Sequence, residues 1–99
     1  MESPAISDSA VVVMTSDLLV SEFGDEVVIL NLRDGVYHGL EETGARIWRL
    51  LREPVTFRNI RDVVVSEYDV APEQCERDVR ALIGELAASG LVEIRESSG

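Results

Sequence analysis

Positive charge is scarce in this sequence. Nine Lys and Arg residues stand against 19 Asp and Glu residues, which gives a formal net charge of -10 at pH 7. Binding to DNA or RNA depends on neutralising phosphates with basic side chains, so this balance predicts no nucleic-acid partner. Anionic membrane surfaces are disfavoured for the same reason. A neutral or basic partner is favoured, chiefly in its encounter rate.

Groups that carry chemistry are also few. The chain has one cysteine, Cys75, and one histidine, His38. One histidine among scattered carboxylates is not the ligand set of a zinc site, and no Gly-rich phosphate loop is present. As a catalytic base, His38 would need a nucleophile and an orienting acid, and no such set is recognisable. Cys75 falls on an apolar helical face, and its acidic neighbours Glu73 and Glu76 oppose a thiolate, so we predict a structural role. We expect a protein that is not an enzyme, with no catalytic residue, no metal and no cofactor.

Long hydrophobic runs and export signals are missing as well. The longest apolar runs, 11–14 and 27–30, are far too short to span a bilayer. The start, Met1–Pro4, lacks the basic-then-apolar order of a signal peptide, and one cysteine cannot staple a secreted fold. We therefore expect a cytoplasmic protein with one domain over residues 1–99 and an ordered core over about residues 10–95.

Three strands are predicted in quick succession. Leu18–Phe23 is the first, Glu26–Leu32 is the second and Val36–Leu40 is the third, with Asp34-Gly35 as a tight turn before the third. Short connections of this kind imply an antiparallel meander with the second strand in the middle. The preceding run at 10–14 is compatible with a short strand or with an extended lead-in.

The second predicted strand is apolar on both of its faces. Val27 and Ile29 point one way, while Val28 and Leu30 point the other. One face of the meander should therefore meet helices. The other face needs a cover, which is either Val11–Val13 or a partner.

Helical periodicity takes over after the third strand. Thr43 is the predicted N-cap of a first helix that stops before Pro54, and Thr56 caps a second helix. Pro72 is the predicted first residue of a third helix, which Gly90 ends. Apolar residues recur at helical spacing and are predicted to face the core: Ile47, Trp48, Leu51, Phe57, Ile60, Val64, Cys75, Val79, Leu82, Ile83 and Leu86. A closing segment, 91–94, is compatible with a short strand, and a meander followed by three helices belongs to the α+β class.

Two short patterns carry a family resemblance. Residues 35–40 read Gly-x-Tyr-x-x-Leu, and residues 43–48 read Thr-Gly-Ala-x-x-Trp. Further matching segments follow at 68–73, 78–83 and 89–92. In this order and at these intervals the patterns are fairly specific, and the chain resembles the PqqD-like domains over about residues 18–94. Glu41 stands where members often carry Asn, which changes a helix-capping group.

The resemblance implies both a fold and a function. PqqD-like domains are recognition elements for ribosomally synthesised peptides that are modified later, and they have a winged helix-turn-helix fold of three strands followed by three helices. They bind the leader of the precursor peptide as an extra strand along the third strand, against the third helix. Stand-alone members of this length occur in lasso-peptide biosynthesis beside a leader peptidase and a cyclase, and the sequence is most similar to that type.

The third predicted strand suits this binding mode. In a meander it is an edge with unpaired N–H and C=O groups, and it carries no Pro, Lys, Asp or Glu to guard them. A peptide strand added there gains main-chain hydrogen bonds. The predicted peptide-binding residues are Val36, Tyr37, His38, Gly39 and Leu40 from the strand and Asp78, Ala81, Leu82 and Glu85 from the third helix.

Two features of that site stay open in the sequence. The helix residues share one flank of the third helix. Leu82 would form an apolar floor there, and Asp78 and Glu85 would accept hydrogen bonds from a basic or hydroxyl-bearing leader residue. Only the resemblance excludes the other flank of this helix, which includes Arg80, as the one that faces the third strand. The Tyr37 ring can pack under the sheet or line a peptide groove.

Other functions compete with this interpretation. A winged helix can serve a transcription regulator, and the second helix, with Arg58, Asn59 and Arg61, is then the only plausible reader of DNA. An adaptor subunit of another peptide-modifying enzyme is a further alternative. A precursor peptide, a peptidase and a cyclase encoded beside this chain would favour the leader-binding function.

Overall fold

Six strands and three helices follow one another along residues 6–96, the part of the chain that the computed structural model describes. The strands are β1 (Val11–Met14), β2 (Leu18–Phe23), β3 (Glu26–Asn31), β4 (Val36–Glu41), β5 (Val55–Thr56) and β6 (Val92–Arg95). The helices are α1 (Thr43–Leu50), α2 (Phe57–Glu67) and α3 (Pro72–Ala88). The fold is α+β, as predicted. The predictions for residues 1–5 and 97–99 lie outside the described residues.

The predicted meander is confirmed. Strands β2, β3 and β4 form one antiparallel sheet with β3 in the middle. Between β3 and β4 the chain turns through Gly35, whose φ of 74° lies in the left-handed region that favours glycine. The Gly35 N–H donates to the Asn31 carbonyl at 2.7 Å and closes the turn.

A second sheet consists of β5, β1 and β6, with β1 in the middle. The run at 10–14 therefore contains a strand, and 91–94 contributes to another. Of the two covers that the sequence left open for the meander, Val11–Val13 is wrong, because β1 pairs with β5 and β6 in the second sheet. Val12 is fully buried in the core from within this second sheet.

The two faces of the meander have different surroundings. Val27 and Ile29 of β3 are fully buried and contribute to the core with the helices. On the opposite face, which we call the outer face, the register places Leu19, Leu30 and Tyr37 in one row across the three strands. Leu19 and Tyr37 are 58% and 69% exposed, so the described residues leave the outer face uncovered.

Two of the three helices begin as the sequence predicts. The Thr56 hydroxyl accepts a hydrogen bond from the Asn59 N–H at 3.2 Å and caps α2, and Pro72 begins α3. The prediction that Thr43 caps α1 is wrong by one residue. Glu42, at a φ of 52°, is the cap, because the chain reverses from β4 into α1 at that one position.

A polar cluster fixes the meander to the end of α3. Asn31 is buried, and its amide N–H donates to the Ser89 carbonyl at 3.3 Å. The guanidinium of Arg33 donates to the carbonyls of Ser16 and Gly90. The last turn of α3 is therefore held at a set distance from the turn between β3 and β4.

Over residues 6–96, no helix is long and apolar enough to cross a bilayer.

An ion pair between Arg46 and Glu67 ties α1 to α2. The guanidinium donates to both carboxylate oxygens at 2.8 Å, and these hydrogen bonds lower the pKa of Glu67 below its ordinary value of 4.5. A carboxyl with a depressed folded-state pKa stabilises the fold above its unfolded pKa, and this contribution is lost as the pH falls through the folded value.

We therefore expect Glu67→Gln to melt slightly below wild type at neutral pH, since the pair is exposed and such pairs are weak. The difference should shrink to nothing as the pH is lowered below 4.5 through the folded pKa. Thermal unfolding followed by circular dichroism across this range measures the effect. A difference that does not change with pH would show that the ion pair is not its cause.

Candidate functional site

One side of the β4 backbone is unpaired. The Leu32 N–H donates to the Asp17 carbonyl at 2.9 Å and so points toward β2, which means that its neighbour Asn31 points toward β4. Asn31 lies opposite Val36. The residues of β4 whose backbone groups face β3 are therefore Val36, His38 and Leu40. The N–H and C=O groups directed to the open side belong to Tyr37, Gly39 and Glu41, and no strand among residues 6–96 pairs with them.

A cleft of about 510 Å³ runs between this strand and α3. We call it the β4–α3 cleft, and its lining residues are Tyr37, His38, Gly39, Leu40, Leu82, Glu85, Leu86, Ala88 and Ser89. Leu40 and Leu82 are half-buried and pack against the core. The cleft thus combines an unpaired strand edge with an apolar floor.

The position of α3 explains which of its flanks lines the cleft. Its buried face, which includes Val79, Ile83 and Leu86, packs into the core. Leu82 and Glu85 lie beside that face and line the cleft. The opposite flank carries Arg80, which donates to the Ile6 carbonyl on the far side of the helix. The choice between the two flanks, which the sequence left open, is thereby resolved in favour of Leu82 and Glu85.

A smaller pocket of about 380 Å³ adjoins the cleft. We call it the three-helix pocket, because its lining residues come from α1, α2, α3 and the segment before α3: Thr43, Gly44, Ile47, Val64, Tyr68, Val70, Cys75, Asp78, Val79 and Leu82. Leu82 lines both spaces. A Cβ atom on Gly44 would lie 3.6 Å from Leu40 and 3.9 Å from Leu82, so Gly44 stands where the two spaces meet.

Most of the predicted site residues come together. The strand residues from Tyr37 to Leu40 line the β4–α3 cleft with Leu82 and Glu85. Asp78 lines the three-helix pocket instead, and Ala81 lines another concavity on α3, which shares Glu85 and Ala88 with the cleft. Val36 is exposed at the start of β4, outside the lining of the cleft.

Three lining residues were not predicted as part of the site: Leu86, Ala88 and Ser89. Leu86 was predicted only as a core residue, and the helical spacing that placed Ser89 on the flank of Leu82 was the available signal. Tyr37 lies on the outer face by register and is largely exposed, so its ring does not pack under the sheet.

His38 faces the core side of the meander, opposite Ile29 of β3. Its Nε2 atom is buried and has no hydrogen-bond partner among residues 6–96. Such an atom is unusual, because buried polar atoms nearly always find a partner.

Cys75 is buried, as predicted. It is 2% exposed, and burial raises the pKa of its thiol, with a further contribution from the carboxylate of Asp78. A buried thiol with a raised pKa is a poor nucleophile. Within the described residues there is no group of three His, Cys, Asp or Glu side chains that could hold a metal ion.

The basic residues of α2 have acidic partners. Arg61 contacts the Asp8 carboxylate at 3.2 Å and the Glu76 carboxylate at 3.0 Å. Arg58 approaches Asp8 at 3.7 Å, and Arg80 of α3 contacts Glu76 at 3.4 Å. A phosphate backbone would have to displace these carboxylates to reach the guanidinium groups.

Known proteins provide three kinds of comparison. Residues 26–92 match the family described as "Coenzyme PQQ synthesis protein D (PqqD)". No curated protein matches the chain significantly. Among solved structures, the chain is similar to TbiB1 in complex with the TbiA(beta) leader peptide, at 37% sequence identity and a TM-score of 0.78, over 82% of this chain and 94% of that one.

Two further structures share the fold. One is lasso peptide synthetase B1 complexed with the leader peptide, at 27% identity and a TM-score of 0.74, over 83% of this chain and 96% of that one. The other is the PqqD truncation of Methylobacterium extorquens PqqCD, described as a stand-alone recognition element for ribosomally synthesised and post-translationally modified peptides. It is 21% identical, with a TM-score of 0.72, over 94% of this chain and 99% of that one, so it supports the fold alone.

Proposed function

This chain belongs to the PqqD family, and from that premise we propose that it binds the leader segment of a ribosomally synthesised precursor peptide and presents it to maturation enzymes of the lasso-peptide type. The observation that carries the proposal is the unpaired edge of β4 beside the β4–α3 cleft. Two structures similar to this chain hold leader peptides, which supports a leader as the occupant.

The leader would add a fourth strand to the meander. Its main chain would bond to the outward N–H and C=O groups of Tyr37, Gly39 and Glu41. Its side chains would alternate between the two faces of the extended sheet. Those on the core side would enter the β4–α3 cleft toward Leu82, and those on the other side would extend the outer face.

Charge on the rim favours a leader with basic residues. Glu85 borders the cleft, and Asp78 borders the adjoining pocket. With a net charge of -10, the chain attracts cationic segments from a distance. Rim charges of this kind act mainly on the association rate and on its salt dependence.

The outer face is the surface we assign to the partner enzymes, a leader peptidase and a cyclase. Leu19, Phe23 and Tyr37 are exposed there, and large exposed apolar patches mark interaction sites. A leader strand on β4 would extend this face directly, so a peptidase that docks on it would contact the chain and its peptide together. Because the residues carry no recognised catalytic set, we assign the chain a binding role and no chemistry of its own.

The proposed function also implies the extent of the domain and the cell compartment in which it acts. We infer that residues 1–99 act as one peptide-recognition domain and that it works in the cytoplasm, where the precursor peptide is made. A DNA-binding regulator is not favoured, since Arg58 and Arg61 of α2 are already paired with acidic side chains.

Fluorescence polarisation tests the binding role. The full chain is titrated against a labelled synthetic leader of the precursor encoded beside its gene, and against the TbiA(beta) leader as a second probe. We expect saturable binding of the first peptide and no change in the mass of the peptide after incubation. A peptide from the core region of the same precursor is the control. Equal binding of leader and core peptides, or no binding of either leader, would overturn the proposal.

A further inference from the structure

The unpartnered nitrogen of His38 lies at the proposed leader site. His38 lines the β4–α3 cleft together with Leu40, Leu82 and Glu85. Its Nε2 atom is buried and has no hydrogen-bond partner among residues 6–96. Leu40 and Leu82 are apolar and offer the ring no partner, and Glu85 and Ser89, which also line the cleft, form no hydrogen bond with it.

An unpaired buried nitrogen destabilises the free chain. A polar atom taken out of water without a replacement hydrogen bond keeps its desolvation penalty. Because the covered position admits no ligand atom, the nitrogen can reach a leader only after a half-turn of the ring about its Cβ–Cγ bond, which exchanges Nε2 with Cε1 and leaves a C–H group in the covered position. The nitrogen gains a hydrogen bond only if a group outside the chain offers it a donor or an acceptor.

The sheet register places one leader residue beside this ring. His38 bonds to β3 through its backbone, so its own N–H and C=O do not face the leader, and its side chain lies on the core side of the meander. A leader residue directly opposite His38 would have its side chain on the same side. In an antiparallel arrangement this is the non-hydrogen-bonded pair, in which facing side chains come closest.

The surroundings restrict the chemistry of that leader residue. The Glu85 carboxylate lines the same cleft and repels an anionic side chain. A cationic side chain would have to give up its hydration against Leu40 and Leu82. A neutral hydroxyl or carboxamide can donate to, or accept from, a ring nitrogen in either tautomer.

Building on the proposed function, we propose that His38 is a specificity-determining residue that selects a Ser, Thr, Asn or Gln side chain at the leader position facing the middle of β4. The imidazole forms with that side chain a hydrogen bond that no residue among 6–96 supplies. Leader residues two positions away on either side face Val36 and Leu40 and do not share this requirement.

A double-mutant cycle tests the proposal. The labelled leader is made with each Ser or Thr replaced by its apolar near-isostere, Ala or Val, and each Asn or Gln replaced by Leu. Each peptide is titrated against wild type, His38→Leu, His38→Gln and His38→Asn, after circular dichroism confirms that the variants fold. The Gln amide N–H stands near the position of Nε2 and the Asn amide N–H near that of Nδ1, so these two variants report which nitrogen bonds the leader.

One leader substitution should weaken binding to wild type by roughly tenfold, the value of one hydrogen bond whose loss leaves a partner unpaired. The same substitution should change binding to His38→Leu by less than about twofold. Either His38→Gln or His38→Asn should recover most of the wild-type affinity for the unmodified leader. Because His38 is the only histidine, its imidazole ¹⁵N resonances are unambiguous, and they should shift on addition of the leader.

The outcomes separate this inference from the proposed function. If wild type binds the leader but every leader substitution lowers the affinity of wild type and of His38→Leu by the same factor, the role of His38 is refuted and leader binding stands. Unchanged imidazole ¹⁵N resonances in the saturated complex also refute the role of His38. If wild type binds no leader, the proposed function itself fails.

Discussion

Replacing Gly39 with proline is expected to abolish leader binding while the chain stays folded. The Gly39 N–H points to the unpaired side of β4 and takes no part in the pairing with β3. Proline removes this N–H and projects its ring toward the incoming strand. Nothing lies within 4 Å of a Cβ atom built on Gly39, so a β-carbon has room there in the free chain.

Two matched variants separate the edge from the fold. Gly39→Ala adds a Cβ atom into the same open space and keeps the N–H, so we expect wild-type affinity. His38→Pro removes an N–H that bonds to Ile29 of β3, so it should lower the melting temperature, whereas Gly39→Pro should change it little.

Fluorescence polarisation with the labelled leader measures affinity, and circular dichroism measures folding. We expect Gly39→Pro to lose at least about a hundredfold in affinity, because the central hydrogen bonds of the added strand cannot form. Wild-type affinity in a folded Gly39→Pro variant would place the leader away from the β4 edge.

Local pattern was sufficient to predict the elements that the chain builds from neighbouring residues. The turn before β4 needs a residue with positive φ, and Gly35 marked it in the sequence. The Thr56 cap and the Pro72 start of α3 depend on groups within three residues of each other, so they were also predicted correctly. The open edge of β4 followed from the order of three short strands, because the last strand of a meander has only one neighbour.

Contacts between distant segments were beyond the reach of the pattern. β1 pairs with β6, and Val12 lies opposite Ile94, about eighty residues further along the chain. A run of β-branched residues does not indicate which strand it will pair with, so the sequence left Val11–Val13 open as one of two possible covers for the meander. The position of Ala81, next to the cleft but outside its lining, depends on how that helix packs. A rotation of one residue position about its axis would have brought Ala81 closer to β4.

The buried nitrogen of His38 also depended on three-dimensional packing. The sequence placed His38 on the edge strand and left it as a surface or groove residue. Only the register with Ile29 and the position of α3 show that the ring lies on the core side with Nε2 covered. A buried polar atom without a hydrogen-bond partner is a feature that the sequence pattern does not predict, and such features concentrate at functional sites.

The apolar floor of the cleft gives the second large effect. Leu82 lines both the β4–α3 cleft and the three-helix pocket, so a leader side chain on the core side of the added strand would pack against it. Burying one apolar anchor contributes about 1.5–3 kcal/mol. We expect Leu82→Ala to weaken leader binding by about tenfold to a hundredfold. Leu82 is only half-buried in the free chain, so the variant should remain folded.

Leu19→Ala is the matched control, because it removes the same side-chain atoms as Leu82→Ala but at an exposed position on the outer face of the meander. Its leader affinity should equal that of wild type, and its capture of the leader peptidase in a pull-down with leader present should be weaker. Leu82→Ala should show the reverse pattern, with weak leader binding and peptidase capture that recovers when leader is added in excess. If both variants lose leader affinity equally, the leader contacts the outer face, and the assignment of separate surfaces to the leader and the peptidase is wrong.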